Sequence, residues 1–303
     1  MHRIIQNHLR RFSNLFGYSE TEESEQFELF VNYCVTASLA AGRFEPKEVT
    51  TGSDDSGIDG VVVVIDDEVV TSKELAETLF QKERRHRDVS LAFTQSKSGD
   101  AFTKADILSF GAAVCNFLDD EPCFPRGDLE ETMREVFDVV IANVHKVRGG
   151  KPNCHLYFAT TGIWPSADEI ITGTANKIRA DVAASDYFSD VAFTPLGRDS
   201  LLRLWTETYE PVEATFQVKG YTPFPAMNGV NQAYMAVVPA RSFIENVLDG
   251  GDGRIRASVF QENVRSYLGD ENAVNSRIAG TISGGDTRDR FAVLNNGVTI
   301  VEP

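Results

Sequence analysis

The sequence predicts an α/β fold with a mixed sheet flanked by helices, and three observations support this. Apolar, β-branched runs suited to buried strands recur at Ile58–Ile65, Ser90–Gln95 and Cys154–Thr160. Between them lie longer stretches whose apolar residues repeat at helical spacing. The alternation continues to about Tyr209, as expected of layered α/β architecture.

Glu20, Glu22, Glu23, Glu25 and Glu28 open a segment in which Phe27, Phe30, Val31, Cys34 and Val35 keep helical spacing. Acids suit the positive end of a helix dipole, so Ser24 to Ala41 reads as an amphipathic helix. Phe44 to Thr50 is expected to be a first strand, followed by the polar turn Gly52–Gly57. Ile58 to Ile65 is too apolar for an edge strand, and the two together predict a hairpin entering the sheet centre. Ser72 suits an N-cap for a helix to about Arg85, and the strand Ser90–Gln95 runs into Ser96-Lys97. Helices over Lys104–Leu118 and Leu129–Val147 precede the strand Cys154–Thr160, which Thr161-Gly162 closes.

The 303 residues suggest two domains at roughly 100–200 residues each. Composition shifts near Tyr221–Pro225 and again at Gly250-Gly251-Asp252-Gly253, so a boundary is expected near 212. Residues 213–303 would then be part of an α+β domain. The chain stops at Asn295-Asn296-Gly297-Val298-Thr299-Ile300-Val301-Glu302-Pro303, where a turn launches a strand, as if cut inside that domain.

No stretch approaches the ~18 apolar residues of a membrane span, and Met1–Arg11 lacks the apolar run of a secretion signal. A cytoplasmic, membrane-free protein is expected. Cys34, Cys115, Cys123 and Cys154 form no C-x-x-C pair and read as reduced thiols. The net charge of −16 excludes a generally basic nucleic-acid coat, so any DNA contact must be local, with Arg3/Arg10/Arg11 and Lys82–Arg87 as the basic patches on offer.

Metal-dependent phosphodiester hydrolysis needs carboxylates to hold the ion and often a lysine to orient water or stabilise charge. Asp59, at the start of one strand, and Lys97, at the end of another, can meet at one sheet edge. Gln95 and Lys97 are two apart and leave the same face of their strand. A Gln-x-Lys triplet alone is an ordinary solvated strand end, and Asp59 beside Gly60 alone is an ordinary turn residue. Their order gives them weight: a helix with Glu25 and Glu28, then Gly57-Ile58-Asp59-Gly60, then Gln95-Ser96-Lys97, then a helix.

That order resembles the α-β-β-β-α core of the PD-(D/E)XK nucleases, a restriction-endonuclease-like fold, in the Mrr-like variant where glutamine replaces the second acid. The resemblance implies Asp59, Gln95 and Lys97 as catalytic residues. It further implies a supplementary glutamate from the preceding helix, Glu28 first and Glu25 second. Asp59, Gln95 and Glu28 would hold Mg²⁺ or Mn²⁺, though a neutral amide oxygen is a weaker ligand than a carboxylate.

A longer set of stretches is similar to the AIPR family, the abortive-infection phage-resistance proteins. Gln26-Phe27-Glu28, the two strand motifs above, Cys154–Gly162, Phe260–Gly269, Val274-Asn275 and Asn295–Ile300 occur in that family's order. The resemblance implies a nuclease-like domain over 1–212 and the first part of an AIPR domain over 213–303, acting in bacterial antiphage defence. Asn263, Arg265, Asn275, Asn295 and Asn296 could build a second ligand site, although the apolar positions around them read first as core and Asn295-Asn296-Gly297 as a turn.

Three functions follow as expectations. The first is a Mg²⁺-dependent DNA endonuclease, a homodimer responding to a phage-derived trigger. The second is a weakly active or inactive nuclease-fold module that senses a phage component or nucleotide. The third is an interaction scaffold.

Overall fold

The structure is a computed structural model that describes residues 2–40, 44–52, 57–84, 86–209, 214–215, 217–223, 232–249 and 300–302. The chain divides into two compact units, 1–210 and 211–303. The polar turn at 53–56 and the motif residues Asn263, Arg265, Asn275, Asn295 and Asn296 lie outside the described residues.

The first unit opens with helices α1 (Arg3–Phe16) and α2 (Glu23–Leu39). Strands β1 (Gly60–Ile65) and β2 (Glu68–Val70), helix α3 (Lys73–Gln81) and strand β3 (Val89–Lys97) follow. Then come α4 (Lys104–Leu118), α5 (Asp128–Ala142), β4 (Asn153–Thr160), α6 (Glu169–Ala183), β5 (Asp190–Leu196) and α7 (Arg198–Tyr209). The sheet order is β2-β1-β3-β4-β5, with β1 antiparallel to both neighbours and β3, β4 and β5 mutually parallel. This is a mixed α/β sheet flanked by helices on both faces, as the alternation of patterns predicts.

The helices expected to run to about Arg85 and Val147 end at Gln81 and Ala142, and two sequence expectations near the site change. Phe44–Thr50 is not a strand: Pro46 fixes its own φ and lacks an N–H, and Glu45 and Glu48 close a reciprocal cap around a 3₁₀ turn at Pro46–Glu48. Only Thr50 bridges Gly60. The hairpin instead joins β1 to β2, because Asp66 (φ 52°) and Asp67 (φ 67°) adopt the left-handed conformation that a two-residue turn between Ile65 and Glu68 demands. Asp59 therefore stands immediately before the first strand of the sheet rather than on its second.

Side chains on the two sheet faces feed separate cores. Val61, Val63, Ile65, Leu91 and Phe93 pack with α3–α6, while Val62, Val64 and Ala92 pack with α1, α2 and α7. β1 is buried on both faces, which explains its unbroken apolar run. Three T-shaped or tilted ring pairs tie the second core together: Phe12–Phe30 at 5.5 Å, Phe30–Trp205 at 5.3 Å and Phe12–Trp205 at 6.0 Å. They join α1, α2 and α7, and so fix α2 against the sheet.

The second unit contains β6 (Gly220–Pro223), β7 (Gln232–Val237), a short helix α8 (Ala240–Phe243) and β8 (Ile300–Glu302). The three strands form an antiparallel sheet in the order β6-β7-β8.

α2 approaches the sheet tightly at Gly60, where an added Cβ would lie 2.3 Å from the Asn32 Oδ1 of α2. Gly60→Ala should therefore cost about 1–3 kcal/mol by overpacking, read as a lowered midpoint in urea melts. An unchanged midpoint would show that the α2–β1 contact yields freely.

Candidate active site

Asp59 is held by its backbone before its side chain acts. Its N–H donates to Thr94 O at 2.8 Å. Its carbonyl accepts from Thr51 N at 3.0 Å and from Asn32 Nδ2 at 2.7 Å. Asn32 sits in an apolar turn of α2 and is 2% exposed. Its amide also donates to Thr50 Oγ1 at 3.1 Å, so both its N–H groups are used, while its buried Oδ1 has no hydrogen-bond partner and faces Gly60.

The Asp59 carboxylate turns toward the end of β3. Its Oδ2 accepts from Gln95 Nε2 at 2.8 Å, from Ser96 N at 2.6 Å and from Ser96 Oγ at 2.9 Å. None of these reaches Oδ1. Burial raises the carboxyl pKa, opposed by the Ser96 hydrogen bonds, the Lys97 charge and the Gln95 hydrogen bond.

Glu28 and Asn32 are four residues apart on α2 and share a face. The contact that holds Asn32 over Asp59 thus carries Glu28 toward the same strand end. Glu28 is half-buried, and its pKa is raised to about 7, first by burial and then by the charge of Asp59, with Lys97 opposing and Glu25 adding a little. Lys97, the last residue of β3, is exposed and makes no ion pair among the described residues.

The structure thus gathers Asp59, Gln95, Lys97 and Glu28, while Glu25 stays exposed at the margin. Two further residues take part that the sequence pattern did not suggest. Asn32 was signalled only by being a lone amide in an apolar helical run. Ser96 carried no signal, because alternation along β3 places it on the face opposite Gln95.

Hydroxyls at the neighbouring strand end and part of one expected basic patch serve the fold. Thr160 and Thr161 are buried, with Thr160 Oγ1 accepting from Gly162 N and Thr161 Oγ1 bonded to Gly99 O, so their hydroxyls are not offered to a substrate. In the basic stretch after α3, Arg87 is buried against Asp66 and the carbonyls of Leu79 and Lys82, and Arg84 pairs with the same Asp66. These two do not form a free phosphate-binding patch. All four cysteines are unpaired thiols.

Among the described residues no three His, Cys, Asp or Glu side chains cluster in a way that could hold a metal. Two carboxylates, Asp59 with an oxygen that no bond among the described residues reaches and Glu28 unsettled by burial and by Asp59, nevertheless suit a hard divalent cation. Mg²⁺ typically takes one or two protein carboxylates and keeps water or substrate oxygens for the rest of its shell. The donor set fits Mg²⁺ or Mn²⁺ and does not fit a structural zinc.

Residues 260–302 match the model of the AIPR protein family. The match spans three of the stretches that carry the sequence resemblance, Phe260–Gly269, Val274-Asn275 and Asn295–Ile300, and makes this part of the chain similar to AIPR proteins. No curated protein and no solved structure matches the chain. Among the described residues no helix is long and apolar enough to cross a membrane.

The Glu28 carboxyl offers a direct check of this geometry. Its pKa lies at about 7 in the fold against an ordinary 4.5, so the native state holds a proton that the unfolded chain releases between those values. Native stability must then fall as pH rises through that window. Glu28→Gln should be more stable than wild type by about 1 kcal/mol at about pH 8, after discounting for solvent screening, and indistinguishable from it at about pH 4. Thermal melts at the two pH values decide. Equal stability at both would mean that Glu28 is neither half-buried nor under the charge of Asp59.

Proposed function

We propose that the first unit is a Mg²⁺- or Mn²⁺-dependent endonuclease that hydrolyses DNA phosphodiesters in antiphage defence. The observation that carries this is a half-buried Glu28 close enough to Asp59 for the charge of Asp59 to raise its pKa, beside Lys97, which makes no ion pair among the described residues. Such an arrangement costs stability, and a divalent cation relieves it. Strongly perturbed carboxyls of this kind concentrate at functional sites.

In this reading Asp59 Oδ1 and Glu28 hold the ion, and the third protein oxygen is that of the Gln95 amide or of a neighbouring backbone carbonyl. A bound ion supplies Lewis-acid polarisation of the phosphate and acidification of a water. Lys97 orients the attacking water and balances charge developing on the phosphate. Glu28 gives up its proton on ion binding, so affinity should weaken as pH falls below about 7. The defence role draws on the AIPR match of residues 260–302, and DNA, a phage-derived trigger, a homodimer and a cytoplasmic setting remain part of the same proposal.

A second reading is favoured by the charge of −16 and by the amide at position 95 where a third acid would strengthen the site. Here the nuclease fold senses a phage component or nucleotide with little catalysis. Absence of any calorimetric response to Mg²⁺ or Mn²⁺ would select it.

The endonuclease reading predicts that the purified chain nicks supercoiled plasmid with Mg²⁺ or Mn²⁺. Asp59→Ala and Lys97→Ala, prepared identically, should lose about 100-fold or more of the rate. Undiminished nicking by both variants would rule the site out.

A further inference from the structure

Among the described residues, the carboxylate of Asp59 is held through one oxygen only. Three donors meet at Oδ2, from Gln95 Nε2 at 2.8 Å, Ser96 N at 2.6 Å and Ser96 Oγ at 2.9 Å. An ionised carboxylate only accepts, so the end of the Gln95 amide turned toward it must be the NH₂. An oxygen there would set lone pair against lone pair. The same Nε2 lies 3.5 Å from Ser96 O, a second acceptor, which reinforces that orientation.

Gln95 is also enclosed, at 3% exposure, whereas Lys97 two residues on is open to solvent. Alternation along β3 turns both toward the α4 side, where Leu91 and Phe93 of the same strand pack. Glu28 comes from α2, on the other face. With its NH₂ spent on Asp59 Oδ2, Gln95 is well placed to hold that carboxylate rather than to share an ion with Glu28.

Resting on the metal-site reading above, we propose that Gln95 and Ser96 are positioning residues: they grip Asp59 through Oδ2 and leave Oδ1 as the one atom it offers, with Gln95 outside the ion's shell. The third protein oxygen is then a backbone carbonyl. This also gives position 95 a physical reason to be an amide. A glutamate there would bring a second negative charge to about hydrogen-bond distance of Oδ2, where like charges cannot both stay ionised at low cost.

The grip is measured first without metal, on the full chain at about pH 8. Gln95→Met, which keeps length but has no N–H, should lower the melting temperature by about 3 °C or more, as should Ser96→Ala, the milder variant if the first folds poorly. In an Asp59→Ala background both losses should shrink to within error, since a double-mutant cycle isolates the pair. Equal losses in both backgrounds would overturn the grip. Calorimetric Mn²⁺ titration then separates holding from ligation. Gln95→Met should keep the site with affinity weakened about 10-fold, and Gln95→Glu should bind no more tightly than wild type. Tighter binding by Gln95→Glu would overturn the assignment. A wild-type chain that binds no Mn²⁺ sinks the metal reading itself, while the metal-free cycle still decides the grip.

Discussion

Asp59 has its N–H, its carbonyl and one carboxylate oxygen all committed to neighbours, and those neighbours belong to three separate parts of the fold. Thr94 and Ser96 are on β3, Thr51 lies just after the 3₁₀ turn, and Asn32 is on α2. The residue is therefore a junction as well as a site. Each buried bond to a charged or enclosed group contributes about 1–3 kcal/mol if lost. Together they fix the position of Asp59 and, among the described residues, leave its second carboxylate oxygen without a hydrogen bond.

What makes the junction possible is the burial of α2. Its apolar residues from Phe27 to Val35 pack around most of the helix, against α1, α7 and the sheet, and Gly60 lets it approach closely enough for Asn32 to reach a strand backbone. Asn32 spends both amide hydrogens there and leaves its oxygen unpartnered, a local cost borne by the surrounding core. Because Glu28 lies one turn earlier on the same face, packing the core and delivering the second carboxylate are one event.

The electrostatics run against stability at this point. Many cations of the first unit are spent within it: Arg134 on Asp120, Asp138 and the last carbonyls of α4, Arg148 on Asp88, and Arg87 on Asp66. The acid pair at the site is faced by Lys97 instead, an exposed charge that offsets it only in part. Local rules are broken at one place and satisfied around it.

Much of the fold was legible in sequence because hydrophobic period is a local property: α4 runs over Lys104–Leu118 as read, and α2, β3 and β4 fall within a residue or two of their expected spans. The exceptions have local causes that outweighed pattern. Pro46 turned an expected strand into a 3₁₀ turn, and paired aspartates at 66 and 67 made a hairpin that an apolar run had concealed. By itself the sequence determined the α/β class, the strand ends on which Asp59 and Lys97 stand, and the helix that bears Glu28. Only the tertiary structure decided what those residues do to one another. The bond from Gln95 to Asp59 spans 36 positions and that from Asn32 spans 27, and no local period encodes a hydrogen bond closed by the packing of two elements. That is why Ser96 was silent in the sequence and Asn32 showed only as a lone amide, and why the side of the Gln95 amide that faces Asp59 could be read only once the strands and helix had met.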